Sequence, residues 1–160
     1  MALLSPPPEA ATPADGLGHT ERAFWRAWLQ ATQSLTDRLD RELNDDFGIT
    51  IADYEAMAHL AADPDGRLRM SELADLALVS RSRLTYRINR LEESGLVRRE
   101  PCESDKRGYF AVLTERGAAV LAQAQPVHVA GVRAGLLDQV PAEVADTLLA
   151  VLDRIAAASR

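Results

Sequence analysis

The sequence predicts a mainly α-helical protein with one small β-hairpin, and two observations carry that prediction. Apolar residues make up 47% of the 160-residue chain while aromatic residues make up only 5%, and alanine and leucine, both strong helix formers, dominate the apolar set. Apolar side chains also recur at helical spacing along most of the chain, whereas residues 96–113 are rich in β-forming residues. A chain of this length suits one domain, or one domain with an appended element.

The N-terminal part is predicted to be an arm followed by a helix. Residues 1–18 contain four of the eight prolines and little periodicity, which is typical of a flexible arm. From Thr20 to about Asp45 the apolar residues follow i, i+4, i+7 spacing, which predicts a long helix that is broken at Gly48. The apolar face of this helix is broad, and it therefore needs more than one neighbour to cover it.

The next segment is predicted to hold two helices and a short extended piece. Thr50 and Asp53 have the spacing of a capping box, which opens a helix over IADYEAMAHLAA. Leu68 and Met70 are expected in an extended piece, and Ser71 is expected to be the N-cap of a short helix.

A helix-turn-helix is predicted from the position of the helix that comes next. This helix runs from about Arg81 to Ser94, and Gly95 suits the left-handed position that commonly follows a helix. The connection Ala77-Leu78-Val79 separates it from the short helix. Two helices joined by so short a turn form a helix-turn-helix.

A β-hairpin is predicted directly after this motif. Its first strand is Leu96–Pro101, its loop is Glu103–Gly108 and its return strand is Tyr109–Leu113. A hairpin in this place makes the fold a winged helix-turn-helix. Thr114 then caps a long helix, and a last helix begins at Pro141, a residue type favoured in the first turn.

Charge is distributed unevenly along the chain. The formal net charge is −6, but residues 66–107 hold ten basic and seven acidic residues, a local charge of +3, and the remainder carries −9. Binding of nucleic acid follows the local basic patch rather than the net charge. The acidic balance of the whole chain therefore does not exclude a nucleic-acid partner.

The helix over residues 81–94 has one core face and one basic face. At 100° per residue, Leu84, Ile88 and Leu91 form a buried stripe and three arginines lie beside it, with no acid before Glu92. A solvated basic face normally has interleaved acids, so this face is predicted to contact DNA. Arginine binds guanine edges and phosphates, and hydroxyl side chains bind phosphates. The predicted contacts are Ser80, Arg81, Ser82, Arg83, Thr85, Tyr86, Arg87 and Arg90.

A longer segment resembles a known family of regulators. LRMSELADLALVSRSRLTYRINRLEESGLVRREPCESDKRGYFAVLTERG, residues 68–117, is similar to the multiple-antibiotic-resistance regulator family, MarR. The similarity depends on SELA, on the SRSRLTYRINRLEESGLVRR block, on the wing pattern Asp105-Lys106-Arg107 and on LTERG. The flanking helices also match the layout of the family.

The resemblance implies a function and the roles of further residues. It implies a homodimer, with an interface built by the first and last helices, that binds a pseudo-palindromic operator in double-stranded DNA. Such proteins are usually repressors, sometimes activators, and many respond to a small phenolic or lipophilic effector. Arg107 matches the arginine of the family that enters the minor groove, Asp105 matches the acid that aims it, and Lys106 lies between them.

The chain is thereby predicted to consist of four segments. The first is a flexible N-terminal arm, residues 1–18, and the second is an N-terminal dimerisation helix, residues 19–48. A winged helix-turn-helix DNA-binding lobe follows over residues 49–113, and C-terminal dimerisation helices cover residues 114–160. The single cysteine excludes an intramolecular disulfide, and no apolar run reaches the ~20 residues of a membrane span. The start of the chain lacks the pattern of a signal peptide. These features predict a cytoplasmic protein without a membrane partner.

Three other functions are weighed against DNA binding. An enzyme would use Cys102 with a histidine, but no catalytic spacing motif accompanies these residues, and no metal-binding pair of histidines is present. The sequence predicts no catalytic residue, metal site or cofactor. Redox sensing through Cys102 is disfavoured by the acids Glu100 and Glu103 beside it. A winged helix that contacts only proteins is disfavoured by the acid-free basic face.

Two interpretations stay open for the aromatic residues of the first helix. Trp25 and Trp28 form part of a dimer or inter-helix core, or they line an effector pocket together with His59. A histidine on an apolar helix, such as His59, is more often a core residue than a ligand.

Overall fold

The computed structural model of the protein describes residues 16–102 and 105–158, and for residues 105–107 it describes the backbone alone. Residues 1–15 of the predicted arm lie outside this part. The elements in chain order are α1 His19–Phe47, α2 Ile51–Ala62, β1 Arg67–Arg69, α3 Met70–Leu76, α4 Arg81–Glu93, β2 Val97–Cys102, β3 Asp105–Leu113, α5 Glu115–Gly135, a 3₁₀ turn Leu137–Gln139 and α6 Ala142–Ala158.

The predicted fold class is confirmed: the protein is mainly α-helical, and a β-hairpin follows the helix-turn-helix. The sheet has three strands in the order β1-β3-β2. Strand β1 pairs with β3 through Leu68 opposite Ala111, and β2 pairs with β3 through Val97 opposite Leu113. The wing is therefore anchored by a third strand that precedes the helix-turn-helix.

The chain divides into two units at the bond between Ser34 and Leu35, within α1. The first unit holds the N-terminal part of α1, and the second unit holds every later element. The hydrophobic core belongs to the second unit, where α1, α2, α3, α4, the sheet and α5 all contribute to it. Its largest fully buried apolar side chains are Leu43, Ile49, Met57, Leu60, Leu73, Leu84, Ile88 and Val97.

The boundary between α1 and α2 follows the sequence prediction. Gly48 has a φ of +68°, a left-handed conformation that ends α1 and that glycine adopts without steric cost. The capping box is present, because Asp53 N–H donates to the Thr50 hydroxyl oxygen and Thr50 N–H donates to the Asp53 carboxylate. Asp40 of α1 accepts a further bond from the Ile51 N–H at 2.7 Å, which ties the two helices together.

The start of α3 differs from the prediction. Ser71 was expected to cap this helix, but the N-cap is Arg69, and both Met70 and Ser71 lie inside the first turn. The cause is Glu72, whose carboxylate accepts a 3.0 Å bond from the Arg69 N–H and so moves the boundary back by two residues. Met70 is consequently helical rather than extended, and the extended piece ends at Arg69.

The end of α4 has the predicted geometry. Gly95 has a φ of +70°, its N–H donates to the Glu92 carbonyl at 2.9 Å, and the Leu96 N–H donates to the Leu91 carbonyl at 2.8 Å. These two bonds are the Schellman pattern of a helix C-terminus. They direct the chain from the helix into β2.

The first turn of α5 packs directly on this connection. The Thr114 hydroxyl caps α5 by accepting from the Gly117 N–H and also donates to the Gly95 carbonyl at 2.8 Å. A Cβ at Gly117 would lie 2.1 Å from the Leu96 carbonyl oxygen, so no larger residue fits without movement. The LTERG pattern therefore fixes α5 to the end of α4. Pro141 was expected to begin the last helix, which instead begins one residue later.

Candidate nucleic-acid interface

The core face of α4 lies where the helical wheel predicts it. Leu84 and Ile88 are fully buried and Leu91 is nearly so. Ser80 is the N-cap, and its hydroxyl accepts from the Arg83 N–H at 3.3 Å. The cap and the Schellman end fix both termini of the helix, so the direction of its outer face is set by the fold.

Most of the residues predicted to contact DNA share this outer face. Tyr86 has 68% of its surface exposed, which is unusual for a large aromatic side chain outside a binding surface. Among them only Arg87 is half-buried, and Ser80 at the cap is exposed. The exposed members on the helix are Arg81, Ser82, Arg83, Thr85, Tyr86 and Arg90.

The four arginines of α4 fall into two pairs with different surroundings. Within the described part of the chain, Arg81 and Arg83 have no acidic group at ion-pair distance. Arg87 and Arg90 both face Asp53 of α2: the Arg90 Nη2 lies 3.1 Å from one carboxylate oxygen, and the Arg87 Nε lies 3.9 Å from the other. The predicted acid-free stripe is therefore partly neutralised by an acid from another helix.

Asp53 is the residue of this surface that the sequence analysis missed. It was predicted as a helix cap, a role it does have, but it is also 1% exposed and pairs with a helix 37 residues later in the chain. The local spacing from Thr50 contains no signal for that second role. Only the packing of α2 against α4 brings the carboxylate beneath the arginines.

Arg99 of β2 fastens the wing to the other side of α4. Its guanidinium donates to the Thr85 carbonyl and to the Asn89 amide oxygen, and it forms an ion pair with Glu92 at 3.2 Å. The Arg99 N–H donates to the same Glu92 carboxylate at 3.0 Å. Arg99 is thus engaged within the protein, and its role here is to hold the sheet against the helix.

The wing is described in part. Strand β3 begins at Asp105, whereas the prediction placed residues 103–108 in a loop, because the antiparallel pairing continues past a register shift at Pro101 and Cys102. The side chains of Asp105, Lys106 and Arg107 lie outside the described residues. Their predicted roles at DNA therefore stay predictions.

The residues predicted for an effector site are separated along the chain, and none of the three lines the groove between α2 and α5. Trp25 is exposed and Trp28 half-buried on α1, in the first unit. His59 is half-buried on α2. A groove of about 400 Å³ between α2 and α5 is lined mainly by alanines, with Tyr54, Leu121 and Gln125. An effector site formed by the two tryptophans and His59 therefore stays a prediction.

A stacked pair of rings lies next to this groove. The ring of Tyr54 stacks on the ring of His128 of α5, with their centroids 4.2 Å apart. Burial lowers the pKa of His128, and the nearby Glu55 carboxylate opposes that shift. Burial also raises the pKa of Tyr54. The histidine is therefore disposed to stay neutral in the folded protein.

Other chemistry is sparse among the described residues. Cys102 is buried at the end of β2. No three histidine, cysteine or acidic side chains of residues 16–102 and 105–158 come together as a metal site. Over the same residues, each helix is too short or too polar to cross a bilayer.

Sequence comparison identifies similar proteins. A profile of the MarR family matches residues 47–108. The transcriptional regulator HosA of Escherichia coli is 36% identical over 98 residues, which cover 61% of this chain and 69% of HosA.

Structure comparison finds the same kind of protein. AbsC, a MarR family transcriptional regulator from Streptomyces coelicolor, has a TM-score of 0.84 and 42% identity, over 90% of this chain and 97% of its own. Sco3205, a MarR family regulator from the same organism solved in complex with DNA, has a TM-score of 0.84 and 42% identity over 88% of both chains. A mutant of MarR from Escherichia coli, complexed with operator DNA, has a TM-score of 0.73 and 25% identity over 83% of this chain and 93% of its own.

Proposed function

Since the chain belongs to the MarR family of transcriptional regulators, we propose that it represses transcription by binding a pseudo-palindromic operator as a homodimer. The observation that carries the proposal is the outer face of α4, where Arg81 and Arg83 are exposed beside Ser82, Thr85 and Tyr86. Guanidinium groups suit guanine edges in the major groove, and hydroxyl groups suit the flanking phosphates. Two similar proteins are solved as DNA complexes, which supports a DNA partner for this chain.

The wing and two further arginines of α4 complete the proposed contact surface. Arg87 and Arg90 belong to it together with the exposed residues, although both also pair with Asp53. From the wing, Arg107 is proposed to enter the minor groove, with Lys106 beside it and with Asp105 aiming the Arg107 guanidinium. A narrow minor groove concentrates negative potential and attracts arginine.

A homodimer is supported by apolar surface that the single chain leaves exposed. On α1, Phe24, Trp25 and Leu29 are exposed, and on α6 Val144 and Leu149 are exposed. Every residue of Ala142–Ala158 is at least partly accessible, although the helix has a clear apolar side. We propose that these two helices bury each other's apolar faces across a two-fold axis. The α4 helices of the two protomers would then lie about one DNA turn, roughly 34 Å, apart.

The proposed function is tested by operator binding. The DNA upstream of the protein's own gene is titrated with protein in a gel-shift or anisotropy assay, and sedimentation gives the oligomeric state. We expect a dimer that binds this DNA, and Arg83→Ala should weaken the complex while Arg133→Ala, which removes an exposed arginine from α5, should not. A monomer at micromolar concentration, or equal binding to all fragments by both variants, would contradict the proposal.

An effector is proposed for the groove between α2 and α5. The alanines Ala58, Ala61 and Ala118 leave space there, and Tyr54 supplies one polar group, which suits a small phenolic or lipophilic ligand. A ligand that binds one arrangement of these helices more tightly would change the affinity for DNA, and DNA would change the affinity for the ligand by the same free energy. Compounds that weaken operator binding of the wild type should lose that effect in Ala61→Leu, which fills the groove. An effect of equal size in this variant would place the ligand elsewhere.

A further inference from the structure

The buried carboxylate of Asp53 has two oxygens with unequal surroundings. One oxygen accepts from the Thr50 N–H at 3.0 Å, from the Thr50 hydroxyl at 2.7 Å and from the Arg90 Nη2 at 3.1 Å. The other has no hydrogen-bond donor among the described residues and faces the Arg87 Nε at 3.9 Å. A carboxylate so fully buried needs compensating positive charge. Arg87 and Arg90 supply it.

This demand restrains both arginines. A freely extended arginine samples many rotamers and pairs with any phosphate within reach, whatever the DNA sequence. Arg87 and Arg90 instead remain close to the buried carboxylate, because moving away would leave its charge unpaired where water does not reach it. The two are restrained in different ways: Arg90 has the shorter contact, a hydrogen bond of 3.1 Å, whereas Arg87 lies at 3.9 Å but is more buried, with 20% of its side chain exposed compared with 45% for Arg90.

We propose that Asp53 is a positioning residue that sets the DNA specificity of α4, by holding Arg87 and Arg90 back from the phosphates of non-operator DNA. This inference depends on the proposed function, since it assumes that α4 reads an operator. In the operator complex the held guanidinium of Arg87 meets a base edge in one orientation, and little rotamer entropy is lost. On other DNA the same restraint removes phosphate contacts that a free arginine would make.

The decisive variant is Asp53→Asn, which keeps the shape of the side chain and an acceptor for the Thr50 N–H but removes the charge. Its affinity for operator DNA and for a shuffled fragment is measured at several salt concentrations. Release of one or two arginines should raise the affinity for shuffled DNA about 4- to 20-fold at 0.2 M salt and steepen the slope of log K against log[salt] by about 0.9 to 1.8. Operator affinity should change less, so the ratio of the two affinities should fall.

Two controls separate this effect from loss of charge or of stability. Glu55→Gln removes the same charge from the same helix two residues later, and it should leave the ratio unchanged. In an Arg87→Ala/Arg90→Ala background, Asp53→Asn should have no further effect on the ratio. Partial unfolding lowers both measured affinities by one factor, so it cancels in the ratio.

The possible results are distinguishable. A wild-type ratio and salt slope in Asp53→Asn would overturn the inference, as would an equal effect of Glu55→Gln. A wild-type protein that does not discriminate operator from shuffled DNA would instead contradict the proposed function.

Discussion

Arg83 and Arg87 lie one turn apart on α4, and we expect their removal to have different consequences. Arg83 is exposed, its backbone N–H donates to the Ser80 hydroxyl, and its guanidinium forms no ion pair with a described residue. Arg83→Ala should therefore leave the melting temperature within about 2 °C of the wild type, because surface substitutions without structural contacts rarely exceed ~0.5 kcal/mol. Its operator affinity should fall by about 5- to 150-fold, the equivalent of roughly 1–3 kcal/mol for a lost base contact.

Arg87→Ala should lower both quantities. At 3.9 Å from the Asp53 carboxylate, a unit charge interacts with about 4 kcal/mol at an effective dielectric constant of ~20. The desolvation of Arg87 and the remaining pairing with Arg90 offset most of that energy, so the expected net loss of stability is on the order of 1 kcal/mol. For a chain of this size that loss lowers the melting temperature by about 2–4 °C.

The assay is a thermal melt of both variants beside operator titrations at one fixed salt concentration. We expect two classes of arginine: Arg83 affects binding alone, whereas Arg87 affects both binding and folding. Equal melting temperatures for Arg83→Ala and Arg87→Ala, whether lowered or unchanged, would refute it.

Further predictions concern the wing, the histidine and the first turn of α5. Asp105→Ala and Arg107→Ala should leave the melting temperature nearly unchanged but weaken operator binding, Arg107→Ala more, and the double variant should lose less than the sum in affinity titrations. Burial lowers the pKa of His128 below its ordinary 6.5, so the unfolded state binds the proton first and the free energy of unfolding should fall as the pH drops below about 6.5; urea titrations should show a smaller fall for His128→Phe, and an identical fall would assign it to other groups. Gly117→Ala should cost roughly 1–3 kcal/mol in urea unfolding, because its Cβ would clash with the Leu96 carbonyl, and unchanged stability would show that this contact relaxes freely.

Much of the fold was predictable because its signals are local. The capping box at Thr50, the Schellman end at Gly95 and the buried stripe of α4 each depend on residues within one or two turns of each other. The error at Ser71 has the same origin, since serine and Glu72 both favour a helix start and spacing alone does not rank them.

The surface was less predictable because its decisive contacts join distant segments. Asp53 reaches Arg90 across 37 residues, and Arg99 reaches Asn89 from the sheet. A helical wheel treats the arginines of α4 as equivalent, whereas tertiary packing separates them. The extended piece at Leu68 was predicted, but its pairing as the third strand was not, because its partner, β3, lies about 40 residues later.

The contact of Gly117 and Thr114 with the end of α4 couples any movement of α5 to α4. A helix of 21 residues is about 31 Å long, and its first turn is joined to Gly95 and Leu96 with no space for even a methyl group. A tilt of about 4° around the middle of α5 therefore moves its first turn by roughly 1 Å, and α4 and β2 must follow. In the proposed dimer the two α4 helices would read a fixed spacing on DNA, so a displacement of this size in each protomer would change how well the spacing of the helices matches the duplex.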